Sequence, residues 1–130
     1  MIVIDSSALV DAMLLGERGL MVRERLQADD VWFAPEIIDV EVAHVLRAAV
    51  RHDRVSLSLA EGGIRSMVRM RLRRFPHKPL LQRAWELREN LTPYDAVYVA
   101  LAEALDAPLI TLDRGMAGAP NAGARIELLA

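Results

Sequence analysis

The feature that most constrains this chain is a short, largely β-branched run that stops directly at an aspartate. It occurs twice: Ile2-Val3-Ile4 stops at Asp5, and Leu109-Ile110-Thr111-Leu112 stops at Asp113. Short apolar runs of this kind are typical of strands that are buried on both faces, as in parallel sheets. Amphipathic segments with helical spacing lie between the two runs. This alternation predicts an α/β fold, with a mostly parallel, twisted sheet flanked by helices.

Helix and strand signals fill the rest of the chain, and no linker or repeat marks a second domain. A helix is predicted directly after Asp5. Further helices are predicted over 19–28, 35–50, 56–70, 80–89 and 92–105, and further strands over 31–34 and 124–129. Pro35 suits the first turn of the helix over 35–50, and Gly62 and Gly63 weaken the helix over 56–70. We therefore expect residues 1–130 to form a single domain.

Composition limits the chemistry that such a domain can perform. The chain has 130 residues, of which 53% are hydrophobic and 26% are charged, a balance typical of a folded globular protein. It contains no cysteine, so a metal would have to be bound by oxygen or imidazole ligands. No basic leader and no long apolar stretch is present, so we expect a cytoplasmic protein. The net charge is −2, so any nucleic-acid site must be local.

Four acidic residues are placed where they can converge. Asp5 and Asp113 follow strands, whose carboxyl ends lie at the ligand-binding edge of a parallel sheet. Glu41 and Asp95 lie in the early turns of predicted helices. Clustered carboxylates repel one another unless cations are present, and hard divalent ions prefer oxygen ligands. Two such ions can activate water and stabilise the leaving oxygen in phosphodiester hydrolysis, without a protein nucleophile.

Each acid also has a purely structural explanation. An aspartate after a strand is often a turn former or a helix cap, which applies to Asp5 and Asp113. Asp95 follows Thr92 by three residues, close to the spacing of a capping box. Glu41 in a first helical turn interacts favourably with the helix dipole. The shared placement of the four favours a site, but the sequence leaves both explanations open.

Four stretches together resemble the VapC-type toxins of the PIN domain superfamily. These stretches are Ile2 to Val10, Pro35 to Glu41, Thr92 to Ala96 and Leu109 to Asp113. The resemblance spans nearly the whole chain and implies a PIN-like three-layer fold. It also implies an endoribonuclease that uses Mg²⁺ or Mn²⁺, forms a homodimer and is inhibited by a cognate VapB-type antitoxin lying over the active site.

The resemblance also assigns roles by position. Asp5, Glu41, Asp95 and Asp113 match the acidic quartet that binds metal and performs catalysis in this family. Two hydroxyl residues match supporting polar positions: Ser7 and Thr111. Some relatives place a further acid or asparagine shortly after the fourth aspartate, where this chain has Met116.

Other polar residues give weaker signals. An arginine-rich stretch precedes Pro76, and in it Arg69, Arg73 and Arg74 are candidate contacts to RNA phosphates or to an antitoxin. A solvated helix face explains the same residues equally well. The three histidines lack a metal-ligand spacing and receive no catalytic role: His44, His52 and His77.

Three rival functions remain to be weighed. Phosphatases and phosphoacceptor domains also place aspartates at strand ends, but they expect a lysine near the last acid, and the single lysine here is Lys78. A non-catalytic binding module would not require four acids. A housekeeping RNA-processing nuclease would carry the same site as a toxin. Nucleotide-binding folds are set aside, because the chain has no glycine-rich phosphate loop.

Overall fold

The computed structural model of the chain describes residues 1–14 and 16–129. Five strands alternate with seven α-helices and one 3₁₀ helix in this part of the chain. The strands are β1 (Ile2–Ile4), β2 (Trp32–Pro35), β3 (Leu72–Phe75), β4 (Leu109–Thr111) and β5 (Ile126–Leu128). The helices are α1 (Ser6–Met13), α2 (Glu17–Gln27), α3 (Ile38–Arg51), α4 (Leu57–Arg69), η1 (Lys78–Leu80), α5 (Leu81–Glu86), α6 (Pro93–Leu105) and α7 (Arg114–Ala117).

The described strands form one parallel sheet in the order β3-β2-β1-β4-β5. The chain moves outward from β1 through β2 to β3, then returns across the sheet to β4 and moves outward again to β5. Because parallel crossovers are right-handed, the helices before β3 cover one face and those after it cover the other. This gives the predicted three layers. The strand order reverses between β1 and β4, and ligands of open α/β sheets bind at such a point.

Strand β1 is apolar throughout because it lies in the centre of the core. Every residue of β1 is fully buried, because helices cover both of its faces. Helix α6 packs against β1, β2 and β4, and most of its residues are buried. It is nevertheless only 13 residues long. None of the helices in the described part of the chain has the combined length and hydropathy of a membrane span.

The third strand departs from the sequence prediction. Strand β3 was not predicted, because its Leu-Arg-Arg-Phe sequence lacks an apolar run. It pairs with β2 at the edge of the sheet, and the Phe75 ring packs against Phe33 with their centroids 5.5 Å apart. The start of α3, the helix after β2, was also predicted wrongly. Pro35 ends β2 instead of opening α3, which begins at Ile38.

Gly63 lies where α4 packs against α3. The predicted helix over 56–70 is present as α4, with Ser56 as its N-cap. Gly63 is buried, and a Cβ at this position would lie 3.1 Å from Cδ1 of Leu46 on α3. The missing side chain therefore lets α3 and α4 approach closely.

Candidate active site

Asp5 joins the end of β1 to the start of α1. Its carboxylate accepts a hydrogen bond from the Ala8 backbone N–H at 3.0 Å, which caps the helix. It also accepts hydrogen bonds from the hydroxyls of Ser7, at 2.7 Å, and Thr111. The side chain is almost fully buried, with 3% of the residue exposed. Asp5 is therefore a helix cap and a buried carboxylate at the switch point of the sheet.

The two predicted supporting hydroxyls connect β1 to β4. Ser7 Oγ donates to Asp5 and accepts the Leu112 N–H at 3.1 Å. Thr111 Oγ1 also donates to Asp5 and accepts the Asp113 N–H at 2.9 Å. Both hydroxyls thus fix the segment after β4 against the segment after β1. Both hydroxyls hydrogen-bond the Asp5 carboxylate, and a supporting role for them in catalysis stays a prediction.

Asp113 is the N-cap of the short helix α7, which follows β4. Its carboxylate caps α7 by accepting the backbone N–H groups of Gly115, at 2.7 Å, and Met116, at 3.2 Å. The Met116 side chain is buried in the core. Met116, at which a further polar ligand was considered, therefore contributes to core packing.

Glu41 and Asp95 reach the same region from helices. Glu41 lies in the first turn of α3, and Asp95 lies in the first turn of α6. Thr92 caps α6 by accepting the Asp95 backbone N–H at 3.3 Å, as the spacing predicted. The hydrogen bond that caps the helix uses the backbone N–H of Asp95, and the Thr92 side chain also acts on the Asp95 carboxyl by lowering its pKa.

Tyr98 is a residue of this site that the sequence analysis missed. Its hydroxyl donates a hydrogen bond to Oε1 of Glu41 at 2.6 Å. The aromatic ring is buried. A usable signal was present: Tyr98 follows Asp95 by three residues, so both lie on one face of α6.

The electrostatics show that the four acids share one environment. Burial raises the pKa of Asp5, Glu41 and Asp95, and the charges of neighbouring acids raise it further. Asp113 acts on Asp5 and on Asp95, while Asp95 and Asp5 act on Glu41. Among the ion pairs of the described residues, none includes any of the four. In the described part of the chain, the site is therefore rich in negative charge, and none of its four acids is neutralised by an ion pair.

The donor set fits a hard divalent cation. Carboxylate and hydroxyl oxygens are the available ligands, and Mg²⁺ and Mn²⁺ prefer oxygen. Within residues 1–14 and 16–129, however, no three acidic or histidine side chains are close enough to form a ready-made metal site. Mg²⁺ usually keeps several waters and binds only one or two carboxylates directly. A cluster of separated acids is therefore compatible with a hydrated ion.

The three candidate arginines differ in their surroundings. Arg74 forms a two-point ion pair with Asp39, at 2.7 and 2.8 Å, and its guanidinium also donates to backbone carbonyls. Arg73 is exposed and lies over the Phe33 ring, 5.8 Å from its centroid. Arg69 is exposed in the last turn of α4. Arg74 is thus already engaged within the chain, and contact of the three with RNA or an antitoxin stays a prediction.

Two further basic residues lie beyond the edge strand β3. His77 Nε2 accepts the backbone N–H of Ile37 at 2.9 Å, which caps the start of α3. Lys78 begins η1. Both follow β3, which β2 and β1 separate from β4 and its aspartate. A phosphatase or phosphoacceptor site expects its lysine near that last acid, so the position of Lys78 does not favour those functions.

The chain is similar in sequence to proteins of one known family. The family model of the PIN domain matches residues 2–121. Ribonuclease VapC1 of Mycobacterium tuberculosis is 40% identical over 98% of this chain and 96% of its own length. Ribonuclease VapC12 of the same species is 42% identical over the whole of both chains.

Solved structures share the fold at lower identity. Mycobacterium tuberculosis VapC20, described as a Sarcin-Ricin loop cleaving toxin, superposes with a TM-score of 0.72 at 15% identity, covering 92% of this chain and 95% of that one. VapBC2 from Rickettsia felis, solved with a promoter DNA fragment, gives 0.67 at 16% identity and covers 98% of each chain. On sequence and fold together, the chain belongs to the PIN domain family, within its VapC group.

Proposed function

We propose that this protein is a metal-dependent endoribonuclease and the toxin of a VapBC-type toxin–antitoxin pair. The observation that supports the proposal most directly is the acidic cluster at the switch point of the sheet. Asp5, Glu41, Asp95 and Asp113 come from four separate segments, influence one another electrostatically and have no cationic side chain among the described ion pairs. The similarity to the VapC ribonucleases supports the reaction class.

The four acids would hold Mg²⁺ or Mn²⁺. When bound, such ions supply an activated water and stabilise the leaving oxygen of a phosphodiester. Asp5 is the most firmly oriented of the four, because it accepts three hydrogen bonds. Ser7 and Thr111 keep its carboxylate fixed against the end of β4. The acids also repel phosphate, so RNA would approach this surface only when cations are bound.

Partners are proposed from the same relationship. Structures similar to this one include a toxin–antitoxin complex from Klebsiella pneumoniae and the VapBC2 complex. We propose a VapB-type antitoxin that covers the acidic site, and a homodimer of this chain in the cytoplasm. Exposed apolar side chains near the start of α6 support a protein interface there: Leu81, Trp85 and Tyr94. Light scattering coupled to size-exclusion chromatography measures the oligomeric state directly.

Cleavage of RNA by the purified protein tests the proposed activity. Total RNA is incubated with the protein and Mg²⁺ or Mn²⁺, with a chelator, and with an Asp5→Asn variant. Asp30→Asn is the matched control, because Asp30 is exposed and lies outside the acidic cluster. We expect cleavage that needs the metal, is lost in Asp5→Asn and persists in Asp30→Asn. RNA binding without cleavage in either metal would favour a non-catalytic binding module instead.

The toxin role needs a separate test in cells. The chain is induced alone, together with the protein encoded by the neighbouring gene, and as the Asp5→Asn variant. We expect growth to stop only when the unchanged chain is induced alone. Normal growth in that culture, combined with cleavage in the purified system, would identify a housekeeping RNA-processing nuclease.

A further inference from the structure

We propose that Tyr98 is a positioning residue, which holds one oxygen of the Glu41 carboxylate so that the other is presented to a divalent cation. The inference rests on the metal-binding function proposed above. It concerns a residue that neither the sequence motifs nor the similarity to relatives singled out.

The geometry connects two helices across the acidic edge. Tyr98 lies one turn after Asp95 on α6, and its hydroxyl donates to Oε1 of Glu41 on α3 at 2.6 Å. Among the side-chain hydrogen bonds of the described residues, this one alone joins α3 to α6. The crossover rule places these two helices on opposite faces of the sheet. The hydrogen bond therefore fixes Glu41 relative to Asp95 at the edge where the two faces meet.

The chemistry of the pair fixes the direction of the hydrogen bond. The Tyr98 side chain is buried, and a buried hydroxyl needs a hydrogen-bond partner. Its partner is Oε1 of Glu41, and a carboxylate oxygen accepts, so the phenol is the donor. Tyr98 thus engages one oxygen of a carboxylate that forms no ion pair among the described residues.

The hydrogen bond also restricts the motion of a flexible side chain. Glutamate has several rotatable bonds, and ordering it on metal binding has an entropic cost. Tyr98 restricts these rotations in the protein before any ion arrives. Side chains that hold metal ligands in this way typically change metal affinity by 10- to 100-fold when they are removed. The expected loss on deleting the phenol oxygen is at the lower end, because one ligand among four is affected.

Tyr98→Phe removes the hydroxyl and keeps the buried ring. Tyr94→Phe is the matched control, because Tyr94 lies on the same helix but is 62% exposed. Binding of Mn²⁺ to each metal-free protein is measured by isothermal titration calorimetry. We expect the Mn²⁺ affinity of Tyr98→Phe to fall about tenfold, and that of Tyr94→Phe to match the unchanged protein. Thermal unfolding without metal monitors folding separately.

A double-mutant cycle shows whether Tyr98 acts through Glu41. In a Glu41→Gln background, adding Tyr98→Phe is expected to change the Mn²⁺ affinity by less than about twofold. Glu41→Asp is the second variant if Tyr98→Phe does not fold. It withdraws the carboxylate by one methylene while keeping the tyrosine, and we expect weaker Mn²⁺ binding.

Two outcomes overturn the inference and differ from each other. Equal Mn²⁺ affinity in Tyr98→Phe and the unchanged protein, with only the unfolding temperature lowered, would make Tyr98 a purely structural residue. The proposed metal site would then stand. Absence of Mn²⁺ binding in the unchanged protein would overturn the proposed metal site itself, and the role of Tyr98 with it.

Discussion

Asp29, at the amino end of the sheet, has cationic partners, whereas the four clustered acids at the carboxyl end have none among the ion pairs of the described residues. Asp29 accepts hydrogen bonds from the Met1 ammonium, at 2.6 Å, and from Arg25, at 2.9 Å, and these contacts lower its pKa. Arg25 also forms a two-point ion pair with Glu127 on β5. At the other end, burial and mutual repulsion raise the pKa of Asp5 and Asp95. The same residue type thus occupies two opposite electrostatic environments.

The difference distinguishes acids whose charge favours folding from acids whose charge opposes it. Asp29 favours folding, because its charged form is better stabilised in the folded chain than in the unfolded chain. A half-buried, repelled carboxylate such as Asp95 opposes folding at neutral pH. The chain has 16 lysines and arginines, yet none pairs with Asp5, Glu41, Asp95 or Asp113 among the described ion pairs. A bound cation would supply the missing charge.

RNA cleavage should show the largest difference between the two ends. We expect Asp95→Asn to lower the rate of metal-dependent cleavage about 100-fold, because it removes a carboxylate from the site where metal stabilises the transition state. Asp29→Asn should keep activity within about twofold, since its contacts lie at the opposite end of the sheet. Initial rates on a labelled RNA at saturating Mg²⁺ or Mn²⁺ measure both effects.

The comparison would fail if both variants lost activity to a similar extent. Circular dichroism of each variant separates that outcome from unfolding. Equal losses in two folded proteins would show that activity depends on overall charge and not on the acids of the carboxyl end.

A smaller difference is expected in how metal stabilises the fold. A ligand present at 100 times its dissociation constant stabilises the folded state by about 2.7 kcal/mol. We expect Mn²⁺ at that concentration to raise the free energy of unfolding by about this amount in the unchanged protein and in Asp29→Asn. In Asp95→Asn the increase should be largely lost at the same concentration. Urea unfolding with Mn²⁺ or chelator provides the measurement, and an undiminished increase in Asp95→Asn would place the cation elsewhere.

Much of the fold could be predicted because its signals are local. The fully apolar β1, the Thr92 cap of α6 and the strand that ends near Asp113 are all confirmed. The edge strand β3 could not be predicted, since two of its four residues are arginines and its pairing with β2 is a tertiary contact. The start of α3 was wrong for a related reason. Pro35 is the last residue of β2 and pairs with Phe75 of β3, so tertiary pairing overrides its preference for a helix start.

The candidate site could be predicted less completely than the fold. Strand ends and helix starts identify where Asp5 and Asp113 lie, because the carboxyl ends of parallel strands share one edge. The hydrogen bond from Tyr98 to Glu41 joins residues 57 positions apart, and no local pattern predicts it. The engagement of Arg74 by Asp39 was missed for the same reason. Sequence spacing predicts which edge of the sheet or face of a helix a side chain lies on. Which side chains form hydrogen bonds or ion pairs with one another depends on tertiary packing.

The smallest expected effect is on the free energy of unfolding of the metal-free protein. This effect has opposite signs for Asp95 and for Asp29. In chelator at neutral pH, we expect Asp95→Asn to raise the free energy of unfolding and Asp29→Asn to lower it, each by less than about 1 kcal/mol. Both carboxyls have an ordinary pKa of 3.8, and folding moves that of Asp95 upward and that of Asp29 downward. Urea unfolding of the three proteins between pH 3 and pH 7 (roughly the span of carboxyl titration) measures the differences.

The sign follows from which state binds the proton more tightly. The folded chain holds the Asp95 proton more tightly, so its stabilising contribution is complete below pH 3.8 and is lost as pH rises through the raised pKa. Asp29 contributes above pH 3.8 and loses that contribution as pH falls through its lowered pKa. The stability gained by Asp95→Asn should therefore vanish in acid, while the stability lost in Asp29→Asn should vanish only at lower pH. If Asp95→Asn destabilised the metal-free protein at neutral pH, Asp95 would be a structural acid like Asp29, and the contrast between the two ends would not hold.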